Sequence, residues 1–468
     1  IWYGGYWDQC NIYKEGSGNL TISNSTIGGS SYDGILIGNN TGTVTITNTT
    51  FDSNKDAGIY LSGSNATVTG CTFTKNVYGV EQAPQYFIDY SKNTFTDNTT
   101  GEVHISTSGY MYTDVSWTRG IGNAFVVIVD SDIYVNEGAL FTISPGVTVK
   151  LANDKSLVIN GTLNASGTSD KKIIFTGTKE EADWWKNINI KDKGTATFNY
   201  CEILYGGYWD RCNIYKNGSG SISVSNSTIG YSSDAGIRIN TGYSSATFAN
   251  NTFVKNNRGV WLGLGASYDD TAATFTENGY DVYADPGTIQ AGTATVWGPG
   301  NGNSVYLESG NSVAEGASLT IRPGTIVKFP NDGYLDIQGT LDATGTADAR
   351  IRFTGSTEEP DWWKDILVRW KGNATFDYCD IWYGGYLDHC NIYKVDTGTL
   401  TISNSTIGGS SYYGILVGRN SGEISITNTT FNSNAYCGID LDGGTAAITS
   451  CTFTGNQQSG VIQRPQYF

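Results

Sequence analysis

Thr43-Val-Thr-Ile-Thr-Asn-Thr-Thr-Phe51, followed by Gly58-Ile-Tyr-Leu61 and then Thr67-Val-Thr-Gly-Cys-Thr-Phe73, decides the fold. Apolar side chains alternate with threonine, the period-two signature of a strand with one dry and one wet face. Phe51 and Phe73 close the same motif 22 residues apart. Working outward, Ser23-Asn-Ser-Thr-Ile27 ends 24 residues before Phe51, and Ser91-Lys-Asn-Thr-Phe95 ends 22 after Phe73. Ile229, Phe253 and Phe275 repeat the steps, as do Ile407, Phe431 and Phe453. Short strands recurring every 22–24 residues, several per repeat, between Asn-, Ser- and Gly-rich turns, predict an all-β parallel solenoid. Coils stacked at about 4.8 Å would place Ile27, Phe51, Phe73 and Phe95 in one internal column. Asn24 and Asn48 are expected to form a polar ladder that satisfies turn backbone groups. No segment sustains apolar spacing near 3.6, so almost no helix is expected.

A longer repeat is superimposed on the short one. Residues 146–216 align without gaps to 324–394, and 1–76 to 381–456. The reading is of tandem modules: a C-terminal part at 1–118, a complete module at 119–297, and the N-terminal and central part of another at 298–468. Ile1 falls inside a motif, and Pro465-Gln-Tyr-Phe468 matches Pro84-Gln-Tyr-Phe87, so both ends are expected to be cuts through a longer repeating polypeptide. Ile143, Ile159 and Phe175 follow at steps of 16, which suggests tighter coils at the start of each module.

Composition narrows the function classes. The 468 residues carry a net charge of -16, which disfavours nucleic acid and anionic membranes because both need clustered Lys and Arg. The longest apolar run, Ala124 to Val129, is far short of the roughly 18 residues that span a bilayer. Neither a Gly-x-Ser-x-Gly motif nor a metal-spaced histidine pair is present, so a non-catalytic role is expected. Asp269-Asp270 reads as a solvated loop, and His389 as a surface position.

The Asn-Ser/Thr-Thr-Phe…Gly-Ile-x-Leu coils resemble the right-handed parallel β-helix superfamily, in its generic secreted and cell-surface branch of bacteria and archaea. Leu-Thr-Ile-x-Pro-Gly-Thr-x-Val-Lys-Phe at 319–329 resembles a block common in such surface proteins. The resemblance implies the fold. Its members include polysaccharide lyases and hydrolases, tailspikes, adhesins and surface-layer components, so it does not choose a function.

Aromatic loops carry the main functional signal. Tyr3, Tyr6 and Trp7 recur as Tyr205, Tyr208 and Trp209, and again around Trp382, Tyr383 and Tyr386, where Leu387 replaces the second tryptophan. Such rings can pack on the neighbouring Trp184-Trp185 and Trp362-Trp363, on another subunit, or on sugar rings. Cys201 with Cys212, and Cys379 with Cys390, are candidate disulfides; a buried thiol ladder is the alternative, because Cys71, Cys201, Cys379 and Cys451 share the slot of Ser25. Glu180, Glu181 and Asp183 recur as Glu358, Glu359 and Asp361, a weak candidate for Ca²⁺ against a simple acidic loop. No other cofactor is expected. Glycosylation sequons include Asn19, Asn48, Asn65, Asn98, Asn164 and Asn428, some of them expected inside the coils. The leading expectation is a structural repeat of a large extracellular or cell-surface protein, partnered by copies of itself and by surface glycans. The second is a carbohydrate-binding or polysaccharide-cleaving protein, and a third is ice binding through Thr43, Thr45 and Thr47.

Overall fold

The computed structural model describes residues 10–86, 88–121, 125–240, 246–263, 265–387 and 389–464; Tyr3, Tyr6 and Trp7 lie outside them. The chain divides by packing into two compact units, Ile1–Ile237 and Arg238–Phe468. That division falls inside the central sequence module.

Both units are parallel β-solenoids. In the first, Asp33–Asn40, Ala57–Leu61, Tyr78–Gln82, Gly101–Ile105, Phe125–Val129, Val147–Leu151, Ile173–Gly177 and Cys201–Leu204 pair in succession, all parallel. A second wall is built from Gly109–Met111, Ile133–Val135, Leu157–Ile159, Ile188–Lys191 and Cys212–Asn217. A third runs from Val115–Trp117 through Leu140–Ile143, Thr162–Ser166 and Thr195–Asn199 to Ile222–Ser225. The second unit repeats this plan, for example from Ser318–Ile321 through Thr340–Thr344, Asn373–Asp377 and Leu400–Ser403 to Ile424–Thr427. Among the described residues the one helical segment is a single 3₁₀ turn, Tyr90–Lys92.

The internal column forms as the repeat requires. Phe51 pairs with Ile27 and Phe73, and the rings of Phe51, Phe73 and Phe95 stack at 4.9 and 4.8 Å. In the second unit Phe253 and Phe275, and Phe431 and Phe453, stack at 5.0 Å. One coil spacing thus sets both the backbone ladder and the ring contact.

The amide ladder lies elsewhere than at Asn24 and Asn48. Those two residues adopt φ of 49° and 47°, and the same slot stays left-handed at Gly70, Asn226, Asn250, Asn404, Asn428 and Ser450. Asparagine is placed there by turn geometry, because its short polar side chain tolerates this region. The buried ladder is Asn54, Asn76 and Asn98: Asn54 Nδ2 donates to Asn76 Oδ1 at 2.8 Å, and Asn76 Nδ2 to Asn98 Oδ1 at 3.2 Å. Asn76 Nδ2 also reaches the Phe51 carbonyl at 3.1 Å. Asn434 and Asn456 repeat the arrangement at 2.9 Å.

The 16-residue step does not define a tighter coil. Val149 lies over Phe175 and Ile143 over Ala165, 22 to 26 residues apart, whereas Ile143, Ile159 and Phe175 belong to three different walls. Three apolar strands in each coil create this false period.

Candidate functional site

The aromatic loop is pinned from below. Trp185 is fully buried, its Nε1 donates to the Leu204 carbonyl at 2.8 Å, and Gly206 lies against its ring. Asn213 accepts from the Gly206 amide at 2.7 Å and donates to the Gly230 carbonyl at 2.9 Å. Gly207 has φ +135°, and a Cβ there would meet Asp183 Oδ1 at 2.2 Å. Trp363, Gly384 and Asn391 repeat the arrangement in the second unit. Tyr205 stacks on Tyr231 at 4.9 Å, and Trp382 and Tyr383 lie under Gly408 and Gly409. Tyr208 and Tyr386 are half-buried. Trp209 is left 75% exposed, held edge-on to Tyr208.

Beside Trp209 lies a cavity of about 340 Å³, lined by Asp132, Tyr134, Ser156, Val158, Lys186, Asn187, Asn189, Lys191 and Asp210 as well. Strand parity places Tyr134, Val158 and Asn189 in one outward row, each directly above the last. Asp132 Oδ1 accepts from both the amide and the hydroxyl of Ser156 at 2.8 Å. Asn187 Nδ2 donates to Asp210 Oδ2 at 3.0 Å, and Lys186 pairs with Asp154 at 3.0 Å. Asn187 and Asn189 are 0% and 7% exposed, yet the amide oxygen of each has no hydrogen-bond partner. Tyr110 stacks on Tyr134 at 4.8 Å and leads to the exposed Tyr112.

A second polar cluster sits on another wall of the same unit. Carboxylate oxygens of Asp33, Asp56 and Glu81 lie within 4.8 Å of one another. His104 lies 3.5 Å from Glu81 and 2.8 Å from Asp130, and its ring stacks on Tyr78 at 4.1 Å. Burial raises the Asp33 carboxyl to about 7 despite the Ala57 amide that it accepts from, and Asp56 and Glu81 push the same way. Burial opposes charge on His104, but its bonds to Asp130 and Glu81 outweigh this and raise it to about 9. The cluster stores like charge beside a paired imidazolium.

The remaining candidates are dispersed or differently employed. No disulfide joins Cys201 to Cys212 or Cys379 to Cys390. Instead Cys201 and Cys379 direct their thiols at the carbonyl two residues back, as Ser227, Ser405 and Thr429 direct their hydroxyls. The slot wants a small inward donor, and burial pushes the Cys201 thiol up to about 12. Glu180 and Glu181 are exposed, while Asp183 accepts from the amide and hydroxyl of Ser233. Glu358 pairs with Arg352 at 2.9 Å, Glu359 is exposed, and Asp361 accepts from Ser411 at 3.1 Å. Neither acidic trio gathers its ligand atoms; Asp183 and Asp361 each reach past the neighbouring coil to fasten their loops to the one beyond it. Asn98 commits its amide to the internal ladder, and Asn164 accepts from Ser166. Asn19, Asn48, Asn65 and Asn428 are exposed. Asp270 is not solvated: it is 3% exposed and accepts from the amides of Asn250 and Asn251.

Sequence reasoning missed Asp132, Asn187, Asn189, Asp33, Asp56 and Glu81. A signal existed for the cavity, because the gap-free repeat changes Ser156 to Tyr334 and Asn189 to Leu367 while keeping the strands. Asp33, Asp56 and Glu81 are separated by roughly one coil each, a spacing that becomes meaningful only once the coil register is known.

An 86-residue stretch, 17% of this chain, is 35% identical to Protein bark beetle of Drosophila melanogaster, and it covers 3% of that protein. The chain therefore spans a small fraction of that relative's length. The family model described as a right handed beta helix region matches residues 6–137 and 294–457. With more than half of its length matched and with coils stacked in parallel register, this chain belongs to the right-handed β-helix family.

Proposed function

We propose that the chain is a structural repeat of a larger extracellular or cell-surface protein, serving a filament, sheath, surface layer or adhesin stalk. One observation carries this reading: equivalent coils keep the stacked aromatic column and the amide ladder while one wall beside them exchanges its side chains. Phe51, Phe73, Asn54 and Asn76 have Phe431, Phe453, Asn434 and Asn456 as counterparts, while Asp33 and Asp56 become Tyr413 and Tyr436. Selection on a mechanical part acts on the stack, because stability in a solenoid accumulates between neighbouring coils. Copies of the chain are the natural partners, with half-buried aromatic loops at hand for contact. Its role is to hold and present surface rather than to turn over substrate.

Immunogold electron microscopy on intact cells of the source, with antibody raised against this chain, tests the reading. Label on a regular surface layer or on protruding fibres is expected. Label that appears only after permeabilisation contradicts it.

A further inference from the structure

The cavity beside Trp209 is more than the scaffold requires, because the matching wall of the second unit is filled by its own side chains. Tyr334 replaces Ser156 and Leu367 replaces Asn189. Gly310 stands where Asp132 does, and a Cβ on it would lie 2.2 Å from the Tyr334 ring, so this tyrosine and glycine go together. Arg369, at the position of Lys191, forks onto Asp336 at 3.0 and 2.6 Å, and its guanidinium lies 4.8 Å from the centre of the Trp370 ring. That wall therefore supplies its own guanidinium to a carboxylate and a tryptophan. The first unit has Val158 and Asp192 at the places of Asp336 and Trp370, and its Lys191 is exposed. Its own carboxylates and tryptophan, Asp132, Asp210 and Trp209, instead surround an open cavity.

The lining is short of donors. Asn187 and Asn189 are more than nine-tenths buried, and the amide oxygen of each has no partner. Such atoms are costly unless something donates to them. Neighbouring donors are already spent: Asn187 Nδ2 on Asp210, Ser156 Oγ on Asp132, and Lys186 on Asp154. Charge points the same way. Asp132, Asp154 and Asp210 stand against Lys186 and Lys191, which leaves one negative charge to be matched. The bond to Asp154, helped by Asp132 and Asp210, holds Lys186 above its ordinary value, so the local field favours a cation. A guanidinium carries one positive charge, donates without accepting, and lays a flat face on an indole. An ammonium lacks that face, and a hydroxyl brings an acceptor that the lining has no use for. We propose that this cavity binds a guanidinium group, its N–H donors on the amide oxygens of Asn187 and Asn189 and its face against Trp209. An arginine side chain of another polypeptide and a free base such as agmatine carry the same group. Binding here does not depend on the mechanical role.

Isothermal titration of the whole chain at low ionic strength tests the proposal. The probes are agmatine, an acetylated Gly-Gly-Arg-Gly-Gly amide, and the same peptide with citrulline, the uncharged isostere, in place of arginine. Saturable binding of agmatine or of the arginine peptide is expected, with the citrulline peptide weaker by about tenfold or more. The tighter of the two guanidinium probes identifies the source, a free base or a protein side chain. Trp209→Leu and Asn189→Leu should each weaken binding about tenfold. The double variant Asp132→Gly/Ser156→Tyr, which copies the filled wall, should abolish it. All of these install residues that the second unit carries, so an unchanged melting temperature marks each variant as folded. The proposal is overturned if neither guanidinium probe binds, if the citrulline peptide binds as tightly as the arginine peptide, or if folded Asn189→Leu or the folded double variant binds as tightly as the parent.

Discussion

The coils that carry Asp33, Asp56 and Glu81 and those that carry Tyr413, Tyr436 and Ile462 share an interior and differ outside. Ile35, Ile59 and Leu61 face inward in one, Ile415, Ile439 and Leu441 in the other, all essentially buried. On the outer face the first set gathers three carboxyls and His104. The second set stacks Tyr412 on Tyr436 at 4.5 Å and bonds Asp440 to Arg464 at 2.6 Å. Chemistry on the wall can be exchanged wholesale without touching the column. The two properties are separable because alternate residues of a strand face opposite sides.

The comparison should break most visibly at the column. Phe51→Ala and Phe431→Ala each remove a fully buried ring. Each is expected to cost about 3–5 kcal/mol in denaturant unfolding, with similar values in the two sets. Tyr412→Ala, on the outer face, should cost less than about 1 kcal/mol. Equal losses at Phe51 and Tyr412 would erase the distinction between inside and outside.

Asn76→Ala should cost about 1–3 kcal/mol, because it strands the Phe51 carbonyl and the amide of Asn54 inside the coil. Asn434→Ala should behave alike. Hydrogen exchange at the neighbouring turns reads this locally.

A smaller, pH-dependent effect should separate the two sets. His104 is raised to about 9 in the folded chain, so its contribution is full below its ordinary value of 6.5 and is lost as pH rises toward 9. Asp33 is raised to about 7, so folding favours its protonated form, and that contribution is lost as pH rises from 3.8 toward 7. Coils 33–105 should therefore loosen between pH 4 and 9, and His104→Gln should flatten the upper part of the profile. Coils bearing Tyr413 and Tyr436 should change less. Hydrogen exchange corrected for intrinsic rates measures both in one sample.

The smallest effect is expected at the cysteines. Cys201→Ser and Cys379→Ser should change stability by less than about 1 kcal/mol, because Ser227 and Ser405 fill the same slot with the same bond. Intact mass should be identical with and without reductant. A loss of two hydrogens per pair in the unreduced sample would restore the bridges.

The column was legible in the chain because apolar burial leaves a period, and Phe51, Phe73 and Phe95 announce theirs directly. The polar ladder was legible only as a need: asparagine recurs at two slots, and nothing local says whether Asn48 or Asn54 turns inward. Left-handed backbone at Asn48 settles that in the fold. The 16-residue step misled because residues on three walls fall into a regular sequence without being stacked. The site was less legible still. Trp209 stood out as a large aromatic on a glycine loop, but Asp132, Ser156, Asn187 and Asn189 meet it only through pairing across three coils.

Everything rests on equal slots lying directly over one another, and a cross-link tests that at one rung. Thr45 and Thr67 are register partners on neighbouring coils, whereas Val68, the next residue, faces inward opposite Ile46. A coil spacing of about 4.8 Å lies within the Cα separation that a disulfide accepts. Peptide mapping of the oxidised Thr45→Cys/Thr67→Cys chain should find that bridge in nearly every molecule at unchanged melting temperature, and the Thr45→Cys/Val68→Cys control should stay unbridged. Equal bridging in the two variants, or none in either, would contradict the stacked register.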